Sequence, residues 1–519
     1  MNAVSVRESF AGKHILLTGA SGFVGKVWLA MILAKVPEVE RIYVLVRPKK
    51  GLSARARYEA LLGSSPAFRP LHEQYGARLP EYLSDKLEIL EGDVASRRLG
   101  LSESAAAALR KNLDLLVHCA ALVNFEPDLR EAIGVNVKGA LNALEFAQSC
   151  DHGRFLQVST AFVCGRTSGE LVDEILKPNY APDGEPYDAE AEFEAVSQLI
   201  QNTAGKADWV QLGKDRAQRR NWPNAYTYSK SLAESLVQNR VGKLPFTILR
   251  PAIVESAVDF PFPGWNEGGE TCTPISYLAA SWLRHFTARP KLTLDIIPVD
   301  TVARGIAVAG AELLNDRHAP VYHCASSHKN PLAVGRMLEL MGLAHRKYYR
   351  EHGKDVLERQ VLSRWDSVTV GDDNRLTAGK LKEHAAALFR LAKNWEAKAP
   401  EPVKGWLHPL TVFANQSKWT LVKAEKIMQV FQPFIYETDY RFLTDHLANA
   451  SVEEEEFRFR PEAIDWRDYI LNIHEPGIRK WCFPILENKP VEKYCPEYPF
   501  RLLEASERER HDASRVKEA

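Results

Sequence analysis

The segment KHILLTGASGFVGK, residues 13–26, constrains the fold more than any other part of the chain. A short apolar run ends at Thr18, three glycines follow at Gly19, Gly22 and Gly25, and an apolar helical pattern then begins. A strand, a glycine-rich turn and a helix in this order bind a dinucleotide diphosphate, because free N–H groups and the dipole at the helix start attract negative charge. A glycine trio also occurs in turns that bind nothing, so the rest of the chain must decide.

Apolar strands alternate with amphipathic helices through the first half of the chain. The pattern predicts helices over 104–109 and 137–148. It predicts strands at the following positions: 14–18, 42–46, 87–91, 115–119, 155–159, 246–249, 294–297 and 321–324. Nearly continuous apolar strands separated by helices predict a parallel sheet covered on both faces. We therefore expect an α/β fold with a Rossmann-type, doubly wound parallel sheet, whose ligands bind at the carboxyl ends of the strands.

The strand pattern thins after Ser326, and helical patterns replace it. They lie at 332–341, 377–395, 418–434 and 439–447. This change predicts an α/β domain over 1–330 and a mainly helical domain over 331–505. The polar, proline-spotted residues 166–222 form an insertion that we expect to contact a substrate. The tail, 506–519, is charged and poor in apolar residues, so we expect it to be flexible.

Side chains at the ends of the next predicted strands indicate which dinucleotide binds. Folds that prefer NAD place an acidic residue at the end of the second strand, but this chain has Arg47 there, followed by Lys49 and Lys50. Cations suit a 2′-phosphate, so we predict NADP(H), with a solvated basic turn as the alternative. Small or polar residues that would meet the adenine or let the cofactor lie flat follow the third and fourth strands: Asp93, Val94, Ala120 and Ala121.

The segment YTYSKSLAE contains Tyr226 and Lys230, which are about one helical turn apart and share a helix face. We expect the Lys230 ammonium to lower the pKa of the Tyr226 phenol from about 10, which would make it a proton donor near neutral pH. Tyr228 would point elsewhere. Ser159 and Thr160 end the fifth strand and alternate faces, so we expect one hydroxyl to reach the site and to stabilise negative charge on a substrate oxygen.

Taken together, these motifs resemble the extended short-chain dehydrogenase/reductase (SDR) superfamily, and more narrowly a bacterial, stand-alone fatty acyl-CoA reductase of the male-sterility type. The resemblance rests on TGASGFVGK, VLVRPK, HCAALVNF, VNVKGA, VSTAFVCG, YTYSKSLAE, LRPAIVES, PGWNEG, IIPVDTVA and the C-terminal IDWRDYILNIHEPGIRKW. It implies Thr160, Tyr226 and Lys230 as catalytic residues, with Ser159 facing away. It implies NADPH as cofactor, held by the glycine loop and the residues above together with Thr18, Ser21, Phe23, Val24, Asn136, Lys230, Pro251, Ile253 and Val254.

The resemblance also implies the substrate and the product. A long-chain fatty acyl thioester of CoA or of acyl carrier protein would be reduced to an aldehyde and then to a fatty alcohol, as in wax ester biosynthesis. Hydride transfer needs no covalent enzyme intermediate, so we do not expect Cys164, which stands where the superfamily usually has Tyr or Asn, to be a nucleophile. Apolar C-terminal residues are candidates for an acyl tunnel, with ordinary core packing as the alternative: Trp406, Leu407, Leu410, Val412 and Phe413.

The amino-acid composition limits which classes of binding partner are expected. The 67 basic and 67 acidic residues balance and form no basic stripe, so nucleic acid is not an expected partner. Seven cysteines are dispersed without a CxxC pair, which favours free thiols in a reducing compartment, and we expect no metal site. The sequence shows no signal peptide and no long apolar span, so we expect a cytoplasmic protein. Peripheral membrane contact and self-association remain open.

Three alternatives remain at this point. The first is a two-electron thioester reductase that releases the aldehyde. The second is a nucleotide-sugar epimerase or dehydratase of the SDR type, against which the C-terminal IDWRDYILNIHEPGIRKW argues. The third is a non-catalytic NADP(H)-binding regulator, which the intact Thr160, Tyr226 and Lys230 disfavour. Since no adenylation or carrier segment precedes residue 12, we expect a stand-alone enzyme.

Overall fold

The apolar runs form strands as expected. The computed structural model describes residues 3–49, 51–203, 207–371, 374, 376–503 and 507, except for the side chains of 357, 401, 402, 406, 409, 410, 413 and 416. The strands are β1 (His14–Thr18), β2 (Arg41–Val46), β3 (Leu87–Glu91), β4 (Leu115–His118), β5 (Phe155–Val158), β6 (Ser168–Val172), β7 (Phe246–Pro251), β8 (Ile253–Glu255), β9 (His285–Thr287), β10 (Ile296–Pro298), β11 (Val321–Cys324), β12 (Val368–Val370) and β13 (Asp439–Phe442).

Helices connect and cover these strands. Those before the C-terminal region are α1 (Val6–Phe10), α2 (Phe23–Lys35), α3 (Ala54–Ser64), α4 (Arg69–Tyr75), α5 (Leu79–Lys86), α6 (Glu103–Asn112), α7 (Leu129–Ala132), α8 (Gly139–Gln148), α9 (Ala189–Asn202), α10 (Trp209–Arg219), α11 (Ala225–Arg240), α12 (Thr273–Ala280) and α13 (Val299–Leu314). The C-terminal helices are α14 (Val334–His352), α15 (Ala378–Lys398), α16 (Glu401–Gln432), α17 (Asp445–Ala448), α18 (Trp466–Asp468), α19 (Glu475–Trp481) and α20 (Phe483–Leu486). Single π-helical turns include Ile133–Lys138 and Pro433–Glu437.

Within the described residues, the central sheet has seven parallel strands in the order β11-β7-β5-β4-β1-β2-β3. Alternate residues of β1 enter different cores: Ile15 and Leu17 pack with α2 and α13, while Leu16 packs with α8 and α11. Both faces are therefore covered, and the expected doubly wound α/β fold is confirmed. The strand order reverses between β1 and β4, which opens a crevice at the carboxyl ends of these strands.

Two predicted elements differ from the structure. The strand expected at 294–297 is β10, which pairs with β8 outside the central sheet, because β11 occupies the sheet edge. The helix expected over 439–447 is wrong. Residues Asp439–Phe442 form β13, parallel to β6 of the insertion, and only Asp445–Ala448 are helical. Tyr440 and Phe442 are both buried, and this spacing of two residues is that of a strand.

The C-terminal region is mainly helical, as expected, but it returns to the α/β domain. Val4 pairs with Val452, and the Glu454 carboxylate accepts hydrogen bonds from the Ser5 hydroxyl (2.7 Å) and the Val6 N–H (3.0 Å). Within the described ranges, no helix is both long and apolar enough to cross a bilayer. Of the tail 506–519, only residue 507 is described, so its expected flexibility lies outside the described residues.

Candidate active site

A cavity of about 640 Å³ lies at the carboxyl ends of the central strands. The β1–α2 turn forms one end of its wall, and the ends of β4, β5 and β7 continue it. Helix α11 and a loop at 267–271 form further parts of the wall. Three apolar residues from the C-terminal region complete it: Phe434, Ile485 and Leu486.

The glycine turn is held open by close packing behind it. Gly19 has a φ of +74°, and a Cβ there would lie 2.6 Å from the Ala120 nitrogen. A Cβ on Gly25 would collide with the Gly19 carbonyl oxygen, so helix α2 can approach β1 only because both residues lack side chains. Gly22 is the N-cap of α2 and makes no side-chain cap hydrogen bond. The turn therefore fits a dinucleotide diphosphate at the first N–H groups of α2.

The predicted cofactor-binding residues near the turn either line the cavity or lie buried beneath it. Phe23, Val24 and Ala121 line the cavity. Thr18 is buried beneath it, where its Oγ1 accepts a hydrogen bond from the Ala120 N–H (3.2 Å) and bonds to the His118 Nδ1 (3.0 Å). Thr18 therefore braces the ends of β1 and β4.

The residues expected around the adenine and the 2′-phosphate lie at the ends of β2 and β3. Arg47 is exposed, and its guanidinium is 4.0 Å from the Asp93 carboxylate. Lys49 is exposed beside it, whereas Lys50 lies outside the described residues. Val94 is buried against α8. Ser21 is exposed on the turn. Contact of these residues with a cofactor remains a prediction.

Asn136 connects two walls of the cavity. Its Oδ1 accepts a hydrogen bond from the Leu122 N–H (2.8 Å), and its Nδ2 donates to the Ser229 Oγ (2.9 Å). The loop after β4 is thereby tied to α11, next to Lys230. On the opposite wall, the backbone between β7 and β8 lines the cavity with Pro251, Ile253 and Val254.

Thr160 and Tyr226 meet across the cavity. The Tyr226 hydroxyl lies beside the Thr160 side chain, and Thr160 Oγ1 donates to the Pro251 carbonyl oxygen (3.4 Å). Ser159 is also part of the wall, but its Oγ is buried with no hydrogen-bond partner among the described residues, so the expectation that it faces away stays a prediction. Strand β5 ends at Val158, one residue before Ser159.

The structure corrects the expected effect of Lys230 on Tyr226. Burial raises the pKa of Tyr226, and the neighbouring Thr160 side chain only opposes this shift. The Lys230 ammonium instead donates to the Val158 carbonyl oxygen (2.7 Å) at the end of β5. Burial lowers the pKa of Lys230 itself to about 8, and the nearby Glu234 carboxylate opposes that shift. Tyr226 is therefore protonated at neutral pH, as an ordinary phenol is, and burial moves its pKa further from neutrality.

Two other side chains, which the sequence suggested would not act in catalysis, lie away from this cavity. The Tyr228 hydroxyl donates to the Glu192 carboxylate (2.6 Å) on the opposite side of α11. Cys164 lines a separate small cavity, and burial raises the pKa of its thiol to about 12. A thiol with so high a pKa is a poor nucleophile at neutral pH, in agreement with the expectation for Cys164.

The C-terminal wall differs from the one expected. Leu407 and Val412 lie on α16 outside the cavity wall, and the side chains of Trp406, Leu410 and Phe413 fall outside the described ones. Phe434 lines the cavity instead, with its ring 5.4 Å from that of Phe125 and 5.2 Å from that of Phe162. The apolar run VFQPFI at 430–435 is the sequence signal for this packing.

Sequence reasoning also missed the function of the loop at 267–271 in the wall. The buried Lys26 ammonium contacts the Glu267 carboxylate and ties this loop to α2. Glu255 holds both ends of the loop, because its carboxylate accepts hydrogen bonds from the Cys272 N–H (2.8 Å) and the Asn266 Nδ2 (3.4 Å).

The C-terminal motif IDWRDYILNIHEPGIRKW packs behind this loop. The Tyr469 hydroxyl donates to the Ser256 carbonyl oxygen (2.7 Å), and His474 Nδ1 bonds to the Ser256 Oγ (3.0 Å). Ser256 follows Glu255 directly, so the motif supports the residue that holds the loop. A segment more than 200 residues away in sequence thus shapes the cavity wall.

Comparison with known proteins identifies the family. A family model described as male sterility protein matches residues 17–306. Over 494 residues the chain is 30% identical to the probable fatty acyl-CoA reductase 4 of Arabidopsis thaliana, covering 90% of this chain and 96% of that protein. Over 500 residues it is 27% identical to the alcohol-forming fatty acyl-CoA reductase of Simmondsia chinensis, covering 91% and 98%. A solved reductase (R) domain of a non-ribosomal peptide synthetase from Mycobacterium tuberculosis aligns over 92% of each chain, with 19% identity and a TM-score of 0.49.

The family model spans more than half of the chain and covers the glycine turn, Thr160, Tyr226 and Lys230. The similarity to the two plant proteins extends through the C-terminal region as well. The chain therefore belongs to the male sterility protein family, the fatty acyl-CoA reductases of the extended SDR type.

Proposed function

We propose that this protein reduces a long-chain fatty acyl thioester to a fatty alcohol with NADPH, through an aldehyde. The observation that carries the proposal is that Thr160, Tyr226 and Lys230 line one cavity that also contains the glycine turn. The relative from Simmondsia chinensis is named an alcohol-forming reductase, which supports the alcohol as product. The thiol carrier is CoA or acyl carrier protein.

The residues present fit NADPH. The N–H groups at the start of α2 would hold the diphosphate, and Arg47 and Lys49 would hold a 2′-phosphate. The Arg57 guanidinium donates to the Arg47 carbonyl oxygen (2.8 Å) and adds a third cation to this corner. When bound, the nicotinamide supplies a hydride.

The side chains of the cavity would stabilise negative charge on the substrate oxygen and transfer protons to and from it. Tyr226, which is protonated at neutral pH, would donate its proton to the thioester oxygen as negative charge develops there, while Thr160 donates a second hydrogen bond. The resulting thiohemiacetal would return that proton to Tyr226 as it expels the thiolate and becomes an aldehyde. In a second reduction, Tyr226 would protonate the alkoxide and then recover a proton from solvent.

Apolar walls would hold the acyl chain. Val123, Phe125, Phe162 and Phe434 form a continuous part of the cavity wall beside Tyr226. Burying each CH₂ group contributes about 0.8 kcal/mol, so an acyl chain several carbons long would gain binding energy in this environment. A nucleotide sugar would find few polar partners on these side chains.

A membrane contact is supported by the helical pair α15 and α16. Leu388, Leu391 and Trp395 are exposed and lie on one stripe of α15, and Trp419 is exposed on α16. Basic residues lie on the same two helices: Lys380, Lys382, Arg390, Lys393, Lys418 and Lys423. Exposed apolar side chains beside basic ones favour binding to an anionic lipid surface, from which a fatty substrate would be taken.

The test is the stoichiometry of cofactor oxidation. Purified protein is given excess NADPH and limiting palmitoyl-CoA, and the loss of NADPH absorbance and the lipid product are measured. We expect two NADPH per thioester and a fatty alcohol. One NADPH and a free aldehyde would establish the aldehyde-releasing alternative, and no oxidation with either the CoA or the carrier-protein thioester would overturn the proposal. Parallel reactions with NADH test the assigned cofactor preference.

A further inference from the structure

A second open space meets the catalytic cavity at Phe125. It is a groove of about 370 Å³ between α10, the start of α11 and the end of α16. Phe125 belongs to the walls of both spaces. Asn224 and Ala225 face the groove, whereas Tyr226 and Lys230, which follow on the same helix, face the cavity. A ligand lying in the groove would therefore end beside Tyr226.

The groove is lined by polar groups. Carboxamides reach it from three elements: Gln218, Asn224, Gln429 and Gln432. Two ion pairs cross it, with 3.5 Å between the Lys214 and Glu126 side chains and 3.1 Å between those of Arg166 and Glu437. Because the charges are paired, the groove presents mainly amide donors and acceptors. The neighbouring cavity, in contrast, has an aromatic wall at this end.

Asn224 provides an independent sign that a ligand belongs in the groove. Its Oδ1 caps α11 by accepting a hydrogen bond from the Thr227 N–H (2.9 Å). The residue is only 7% exposed, and its Nδ2 is buried with no hydrogen-bond partner among the described residues. Buried amide donors are almost always paired in folded proteins, so this one marks a place where a bound carbonyl oxygen would complete the hydrogen bonding.

We propose that the groove binds the pantetheine arm of the acyl thioester, an inference that rests on the proposed function. The arm carries two amide groups and a hydroxyl, which match the carboxamides of the groove, and it ends in the sulfur of the reacting thioester. Asn224 Nδ2 donates to a carbonyl of the arm. Phe125, whose ring lies 6.3 Å from that of Tyr226, separates the polar arm from the apolar acyl chain. CoA and acyl carrier protein share this arm, so the groove serves either carrier.

The test compares thioesters that have or lack the arm. The kcat/KM is measured for the palmitoyl thioesters of pantetheine, CoA and acyl carrier protein and for the S-ethyl thioester, which carries the same reacting group alone. The variant is Asn224→Ser, because serine keeps the helix cap while the Nδ2 donor is lost. The matched control is Asn239→Ser on the same helix, where the amide donates to Asn179 on the exposed surface (3.0 Å).

We expect the ratio of kcat/KM for the pantetheine thioester to that for the S-ethyl thioester to fall about tenfold in Asn224→Ser, as for the loss of one hydrogen bond, and to stay constant in Asn239→Ser. Thioesters of CoA and of the carrier protein should lose as much as that of pantetheine. An unchanged ratio would overturn the inference, and so would a loss confined to CoA, since the groove would then recognise the nucleotide. If the wild type oxidises no NADPH with any thioester, the proposed function itself fails.

Discussion

Tyr226 and Tyr228 lie two positions apart on α11, and their surroundings give them different chemistry. Tyr226 faces the cavity beside Thr160, whereas Tyr228 donates to Glu192 on the other side of the helix. We expect Tyr226→Phe to lower kcat at least about 100-fold, because the proton donor for the substrate oxygen is lost. The decisive measurements are steady-state kinetics and NADPH binding, which should persist in this variant.

Tyr228→Phe is the matched control for that experiment. It deletes the same atom from the same helix, and we expect turnover to change less than about twofold. Thermal unfolding should still register the substitution, since a buried hydrogen bond to a charged group contributes about 1.5–3 kcal/mol. Full activity of Tyr226→Phe would remove the tyrosine from the mechanism.

Lys230 gives the enzyme a pH dependence with a defined sign. Burial lowers its pKa to about 8, so the ammonium that donates to Val158 loses its proton as the pH rises through that value. We expect kcat/KM to fall on the alkaline side of about pH 8 when it is measured between about pH 6 and pH 10.

Glu234 sets the pH at which kcat/KM falls on the alkaline side, the alkaline limb of the pH profile. Its negative charge raises the pKa of Lys230, so Glu234→Gln should move the limb to lower pH. Glu234 also pairs with the buried Arg250 (2.6 Å), and Glu234→Asp, which keeps the charge, is the control for damage to the fold. A limb that stays in place in the glutamine variant would show that another group titrates.

At the scale of elements, glycine in the β1–α2 turn is required by backbone conformation and by close packing. Substitutions at two glycines separate these two requirements. Gly19 and Gly12 have similar φ values, +74° and +67°, but a Cβ on Gly19 would meet Ala120 whereas a Cβ on Gly12 would meet nothing within 4 Å. We expect Gly12→Ala to cost about 1–2 kcal/mol of unfolding free energy from the backbone alone. Gly19→Ala should cost about 3 kcal/mol or more, because overpacking adds to the backbone strain.

Denaturant unfolding of both glycine variants measures these costs, and NADPH fluorescence measures cofactor affinity. Equal losses of stability would show that the contact with Ala120 relaxes freely. The comparison also explains why the glycine spacing is such a strong sequence signal. Both requirements, a positive φ and the missing Cβ, act within a few residues of the turn.

Secondary structure was predictable where the pattern is local. The central strands follow continuous apolar runs, and Tyr226 and Lys230 lie on one helix, α11, as their spacing predicted. The segment at 439–447 was not predicted correctly, because its strand forms only by pairing with β6, more than 260 residues earlier. Short apolar runs do not distinguish a strand from a helix until their partner is known.

For the whole molecule, we expect α15 and α16 to mediate membrane binding. Replacing both Leu391 and Trp395 by serine should lower co-sedimentation with anionic phospholipid vesicles at least about tenfold, since two exposed apolar side chains would no longer enter the lipid. Val356→Ser, which changes another exposed apolar residue, is the control. Absence of wild-type binding to such vesicles would contradict the proposal.

The sequence alone determined the features that local patterns carry: the alternating strands and helices of the doubly wound sheet, the glycine turn, and the shared helix face of Tyr226 and Lys230. Only the tertiary structure decided what these groups do. Lys230 bonds to Val158 and burial raises the pKa of Tyr226, and both facts depend on segments far apart in the chain. The C-terminal part of the cavity wall, formed by Phe434 and α20, was likewise beyond local patterns. Periodicity reports which face of an element is apolar, but desolvation and contact depend on what folds against that face.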